Sequence, residues 1–306
     1  MELLYFFEKI RQPWLDSIMM GITQFGGEIL FMALAIILFW CHDKKAGYYA
    51  LTVGFIGIIV NQFLKLVFRI SRPWVQDPDF TIVEAARADA GGYSFPSGHT
   101  QNAAATLGVP ARVAKAKGLK ILLWVLYFLV PISRMYLGVH TPLDTGVAFV
   151  MGLVLLFALG PVFRTADQKP GRMYALLGGM LTLAVAYVLY VELYPFPADI
   201  EAENLAEGVK NAYTLLGAVG GMLIAYWLDQ RYIRFSVEGS LPAQIVKSVI
   251  GLALTVGLRV VLKAPLNAIF GGAGAADAVR YAIMVVFAAA VWPLAFPCIC
   301  RLLPQK

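Results

Sequence analysis

The sequence predicts an all-α, polytopic membrane protein with about nine transmembrane helices and an N-terminal helix lying along the membrane interface. Three observations carry this. Hydrophobic residues make up 59% of the chain and charged residues 14%, whereas a soluble domain carries about a quarter charged residues. The apolar residues gather into runs of about 20, the length a helix needs to cross hydrocarbon while satisfying its own backbone groups. The charges between those runs sort by sign into alternate loops.

Taken in order, the Met1–Asp16 stretch mixes Phe6, Phe7 and Trp14 with Lys9 and Arg11, a pattern suited to the interface rather than to crossing it. Approximate span cores follow at 22–41, 47–68, 99–116, 119–137, 143–163, 173–194, 211–228, 243–262 and 281–301. The third is the weakest, because Gln101, Asn102 and Arg112 interrupt an Ala-rich run; it reads as a helix facing other helices. No removable signal peptide is expected at the start.

If the spans alternate, the loops 42–46, 112–120, 164–172 and 229–247 and the C-terminus share one side. That side holds 14 of the 25 Lys and Arg and only 4 of the 19 acids, and is expected to be cytoplasmic. The opposite side holds Asp77, Asp79, Glu84, Asp89, Asp199, Glu201, Glu203 and Glu207. With the charge partitioned by a membrane in this way, a net charge of +6 does not argue for nucleic acid as a partner. Cys41, Cys298 and Cys300 fall near cytoplasmic span ends, where thiols stay reduced, and no disulfide framework or zinc spacing appears. The last four spans carry few ionisable groups, so the chain divides into a core at 1–168 and a C-terminal membrane extension at 169–306.

Three polar clusters stand out, and alternation sets all three on the acidic, outer side. The first is Lys65 with Arg72 and Pro73. A spacing of seven is about two helical turns, so the two cations would share one side if the helix ran on to Pro73. Together they make an anion site, although a basic span end that snorkels to water looks the same. The second is Phe95-Pro96-Ser97-Gly98-His99-Thr100, where a long polar loop enters a helix whose free N–H groups can seat a phosphate. Simple helix punctuation is the plainer alternative.

The third cluster runs from Ser133-Arg134 to His140-Thr141-Pro142-Leu143-Asp144. Thr141 and Asp144 fit a capping box. Asp144 also lies one turn beyond His140, close enough to hold one ring nitrogen as N–H and leave the other lone pair for attack. Only three His occur in the chain, and two of them sit in these clusters. His42 reads as a solvated loop residue. Ionisable groups at membrane depth are costly and usually functional.

Lys65-x6-Arg72-Pro73, Pro96-Ser97-Gly98-His99 and Ser133-Arg134-x5-His140-x3-Asp144 resemble the three signature motifs of the type 2 phosphatidic acid phosphatase superfamily. The resemblance covers roughly residues 60 to 150. It implies a metal-independent membrane phosphatase in which His140 is the nucleophile, Asp144 orients it and His99 protonates the leaving oxygen. Lys65, Arg72, Arg134, Ser97 and the Gly98 N–H would hold the phosphoryl oxygens. No cofactor is expected, and a membrane lipid phosphate is the expected substrate. A phosphotransferase using the same intermediate, a soluble sugar-phosphate phosphatase and a lipid transporter are the alternatives; transport is disfavoured because the glycine-bearing spans lack paired Pro breaks or mid-span charges. Oligomeric state is not encoded in any of these features.

Overall fold

The computed structural model describes residues 1–303, and every regular element among them is helical. The helices are α1 (Glu2–Lys9), α2 (Pro13–Thr23), α3 (Glu28–Cys41), α4 (Lys44–Phe68), α5 (Pro73–Gln76), α6 (Gly98–Ala103), α7 (Val109–Val113), α8 (Lys117–Tyr136), α9 (Pro142–Arg164), α10 (Pro170–Leu193), α11 (Ala202–Leu228), α12 (Leu241–Val261), α13 (Lys263–Phe270), α14 (Ala273–Val286) and α15 (Phe296–Leu302). Among the described residues, seven stretches are long and apolar enough to cross a membrane, or up to eight if the bent pair Pro13–Gly26 and Glu28–Cys41 is one span.

Seven of the expected spans coincide with these seven stretches. The expected 22–41 span falls on the bent pair, whose halves meet at 51°. The expected 99–116 span is shorter than its apolar run suggests. A helix does run from Gly98 to Val113, with a π-helical turn at Ala104–Gly108, but at 1.5 Å per residue that is about 24 Å, less than the hydrocarbon core of about 30 Å. Its Thr100, Gln101, Asn102, Ala103, Ala104 and Leu107 are all buried, so it is an internal helix, as its mixed polarity implied.

The chain forms two compact units. The first comprises residues 1–35, 49–161 and 201–204, and the second 36–48, 162–200 and 205–306. In the first, α9 presents Val150, Val154 and Phe157 outward, each more than half exposed, at the i, i+4, i+7 spacing of one helix face. An apolar stripe of that kind fits lipid. The N-terminal helix α1 buries Leu4 completely against Phe80, Ile82, Ala86, Tyr136 and Val139. Tyr5 Oη donates to Asp77 at 2.8 Å, and Arg11 donates to the Tyr136 carbonyl at 3.1 Å and the Thr81 carbonyl at 2.7 Å. The segment is thereby fastened to the loops around the polar clusters.

In the second unit, α11 and α14 pack at backbone distance. A Cβ on Gly217 would stand 1.9 Å from the Ala278 carbonyl oxygen, and one on Gly221 2.7 Å from that of Ala282. The pair is a small-xxx-small contact of the sort that lets membrane helices approach closely. Ion pairs among the described residues of this unit include the buried Asp277 with Arg280 and the half-buried Lys44 with Asp229 at 2.9 Å.

Candidate active site

The three polar clusters meet in the first unit, at the C-terminal ends of α4 and α8 and the N-terminal ends of α6 and α9. Lys65 sits in the last turn of α4 and is buried. The helix stops at Phe68, and Arg69 takes a left-handed φ of 49°. Lys65 and Arg72 therefore do not share one continuous helix, contrary to the two-turn expectation. Arg72 instead precedes α5 in an extended conformation. Its guanidinium donates to the carbonyls of Gly91 at 2.5 Å, Gly92 at 3.0 Å and Val139 at 3.0 Å, which fixes the fork of a charge that is only 6% exposed.

Ser97 caps the helix that begins at Gly98, its Oγ accepting from the Thr100 N–H at 3.4 Å and the Thr100 hydroxyl at 3.1 Å. The Ser97 proton is left to donate. The turn is tied across the site by the Ser97 N–H to the Asp144 carbonyl at 3.0 Å, and to α4 by Asn61 Nδ2 to the Pro96 carbonyl at 3.2 Å. His99 and Gly98 are partly exposed, whereas Ser97 is fully buried.

His140 lies in the short connection between α8 and α9 and is 2% exposed. Arg72 Nη1 stands 2.9 Å from its Nε2 and 3.4 Å from its Nδ1. A donor lying along the lone pair of one ring nitrogen would stand much farther from the other, so the guanidinium packs across the imidazole and does not select a tautomer. Asp144 Oδ2 is 3.6 Å from Nδ1, just beyond hydrogen-bond distance. Burial first, and then Arg72, Arg134, Lys65 and His99, hold the imidazole well below its ordinary pKa. The same four neighbours show that all three clusters converge on this ring.

Asp144 carries the capping box as well. Its Oδ2 accepts from the Thr141 N–H at 2.7 Å, and its own N–H donates to Thr141 Oγ1 at 3.3 Å. Ser94 Oγ donates to the same Oδ2 at 2.6 Å. Arg134, in the last turn of α8 and fully buried, donates from Nη1 to Thr23 Oγ1 at 3.1 Å and from Nη2 to the Asp89 carbonyl at 3.3 Å, while its Nε has no protein partner. Among the described residues no three His, Cys, Asp or Glu side chains gather as a metal site would require.

Two stretches of the chain match known families. Residues 45–167 match the model of the PAP2 superfamily, and residues 213–300 match that of the PAP2 superfamily phosphatase transmembrane extension. The chain is 34% identical over 160 residues to phosphatidylglycerophosphatase B of Bacillus subtilis, covering 48% of this chain and 75% of that protein. The chain belongs to the PAP2 superfamily. It is 31% identical over 157 residues to an undecaprenyl-diphosphatase of Bacillus subtilis, covering 50% of this chain and 76% of that one. It is also 29% identical over 163 residues to the lipid A 4'-phosphatase of Bacteroides thetaiotaomicron, covering 49% and 71%. No solved structure matches.

This PAP2 phosphatase thus brings every residue singled out from its sequence to one place: Lys65, Arg72, Ser97, Gly98, His99, Arg134, His140 and Asp144. His42 stays exposed in its loop, apart from them. Sequence reasoning missed three kinds of contributor. Ser94, which donates to Asp144, lies just three residues before Ser97, but nothing in the sequence marks its hydroxyl as the partner of a residue 50 positions on. The carbonyls of Asp89, Gly91 and Gly92 carry no side-chain signature. Thr23 lies 111 positions before Arg134 in a run that reads as ordinary span.

Proposed function

We propose that this membrane phosphatase cleaves a lipid phosphate, of the phosphatidic acid or undecaprenyl diphosphate type, through a covalent phospho-histidine on His140. The observation that carries the reading is the buried His140 ring, with Asp144 on its Nδ1 side and the Arg72 guanidinium packed against it. The lone pair of Nε2 attacks phosphorus, the P–N bond forms, and the bond to the leaving oxygen breaks as His99 gives that oxygen its proton. Water then attacks the phospho-histidine, His99 takes the proton, the P–N bond breaks, and phosphate departs. Asp144 stabilises the charge on the phosphorylated ring. Lys65, Arg72, Arg134, Ser97 and the Gly98 N–H hold the phosphoryl oxygens; for phosphoryl transfer, positioning and charge of this kind are the main requirement.

The apolar helix faces and the names of the relatives support a lipid as the substrate, since an acyl or prenyl chain can remain in the bilayer while its headgroup reaches the cations. We place the site on the outer face of a bacterial plasma membrane and the C-terminus in the cytoplasm, because the basic loops favour the cytoplasmic side. Nine passes, counting the short Gly98 to Val113 helix, with residues 1–16 at the interface and a division into 1–168 and 169–306, complete the proposal.

His140→Ala is expected to abolish turnover and the acid-labile phosphate trapped on the protein; trapping that survives the substitution removes His140 as nucleophile. Vesicles carrying phosphatidic acid or undecaprenyl diphosphate should be hydrolysed in preference to a soluble sugar phosphate. The reverse preference overturns the lipid reading, and an acceptor-dependent lipid product would make the enzyme a transferase.

A further inference from the structure

Arg134 is a buried cation placed among like charges. It neighbours Arg72, and both surround His140 with Lys65 and His99. Before an anion arrives, these cations repel one another across a buried space where screening is weak. An arginine has several rotatable bonds, so something must hold this one in the binding geometry. Two acceptors do so, the Asp89 carbonyl on Nη2 and the Thr23 hydroxyl on Nη1. With both terminal nitrogens tethered, the guanidinium plane is fixed and Nε, a buried donor without a protein partner, is the edge left for a phosphoryl oxygen.

We infer that Thr23 is a positioning residue of the active site and that the N-terminal segment, which lies before the matched residues 45–167, is a working part of it. The inference rests on the reading of Arg134 as a phosphate-binding residue. Thr23 is the last residue of α2 and fully buried, so its hydroxyl lies away from solvent and its β-branch restricts χ1. A second contact from the same segment supports the assignment. Gly26 approaches the start of the phosphate-seating helix so closely that a Cβ there would lie 2.3 Å from the His99 carbonyl oxygen. The Gln24 amide also donates to the Asp89 carboxylate at 3.3 Å, on the residue whose carbonyl holds Arg134. The turn after α2 therefore touches the Arg134 tether and the His99 backbone together.

The test uses the full-length protein in detergent, with inorganic phosphate and orthovanadate as competitive probes. Thr23→Val keeps the shape and removes the acceptor. It is expected to raise the inhibition constants of both probes and the KM about tenfold, the size of one hydrogen bond to a charged group, while Thr23→Ser restores them. Tyr136→Phe, which cuts the bond from Tyr136 Oη to Asp16, loosens the same N-terminal segment without touching Arg134. It should lower the thermal midpoint and leave the inhibition constants unchanged. If Thr23→Val does not fold, Thr23→Ser against Thr23→Ala isolates the hydroxyl at equal loss of the methyl. Inhibition constants that are the same with and without the hydroxyl overturn the proposal, as does an equal rise in Tyr136→Phe. A wild-type protein that binds neither probe defeats the reading of Arg134 itself, which is a different outcome.

Discussion

Asp144 caps a helix with the same oxygen that stands beside the imidazole of His140. Its Oδ2 closes the capping box with the Thr141 N–H, receives the Ser94 hydroxyl and faces His140 Nδ1. Asp144→Asn keeps an acceptor for the cap and removes the negative charge beside the ring. It is expected to lower kcat by at least about tenfold with a small change in thermal midpoint, because charge stabilisation of the phosphorylated ring is lost while helix capping is mostly kept. Full activity in that variant would leave Asp144 a cap only. At this scale the sequence was informative where partners are close along the chain. The spacing of His140, Thr141 and Asp144 contains both contacts. Ser94 and Thr23 were not legible, because a hydroxyl gains its meaning from a partner 50 or 111 positions away.

Among the elements, the break after α4 shows how local chemistry and tertiary demand can part. Nothing between Lys65 and Arg72 forbids a helix, yet the chain turns at Arg69 so that Arg72 can lie against the Gly91–Gly92 carbonyls. The short Gly98 to Val113 helix was readable from its polar residues as one that faces other helices, but not its length, since Ala-rich sequence continues beyond the turn that ends it. The glycines of α11 behave as their spacing suggests. Gly217→Ala would force a methyl against the Ala278 carbonyl, so α11 and α14 must separate at a cost of about 1–3 kcal/mol. The expected result is a lower thermal midpoint in detergent, with KM for substrate unchanged because no residue of the site belongs to either helix. An unchanged midpoint would show that the two helices do not depend on this contact.

For the whole molecule, the state of His140 ties folding to pH. Its folded pKa is depressed by burial and by the surrounding cations, while the unfolded chain binds a proton on this residue below about pH 6.5. Unfolding therefore takes up a proton in acid, and stability falls as pH drops below about 6.5 until the folded pKa is reached. The thermal midpoint of the wild type should decline between about pH 7 and 5 more steeply than that of His140→Gln; equal slopes would mean that His140 is not held neutral. The bonds of Arg72 add a further consequence. One side chain joins the Gly91 and Gly92 carbonyls, in the loop that leads to Ser97, to the Val139 carbonyl, in the connection that carries His140. It acts as a strut between two segments that share no regular element, so their spacing is set by a single buried guanidinium and would be lost with it.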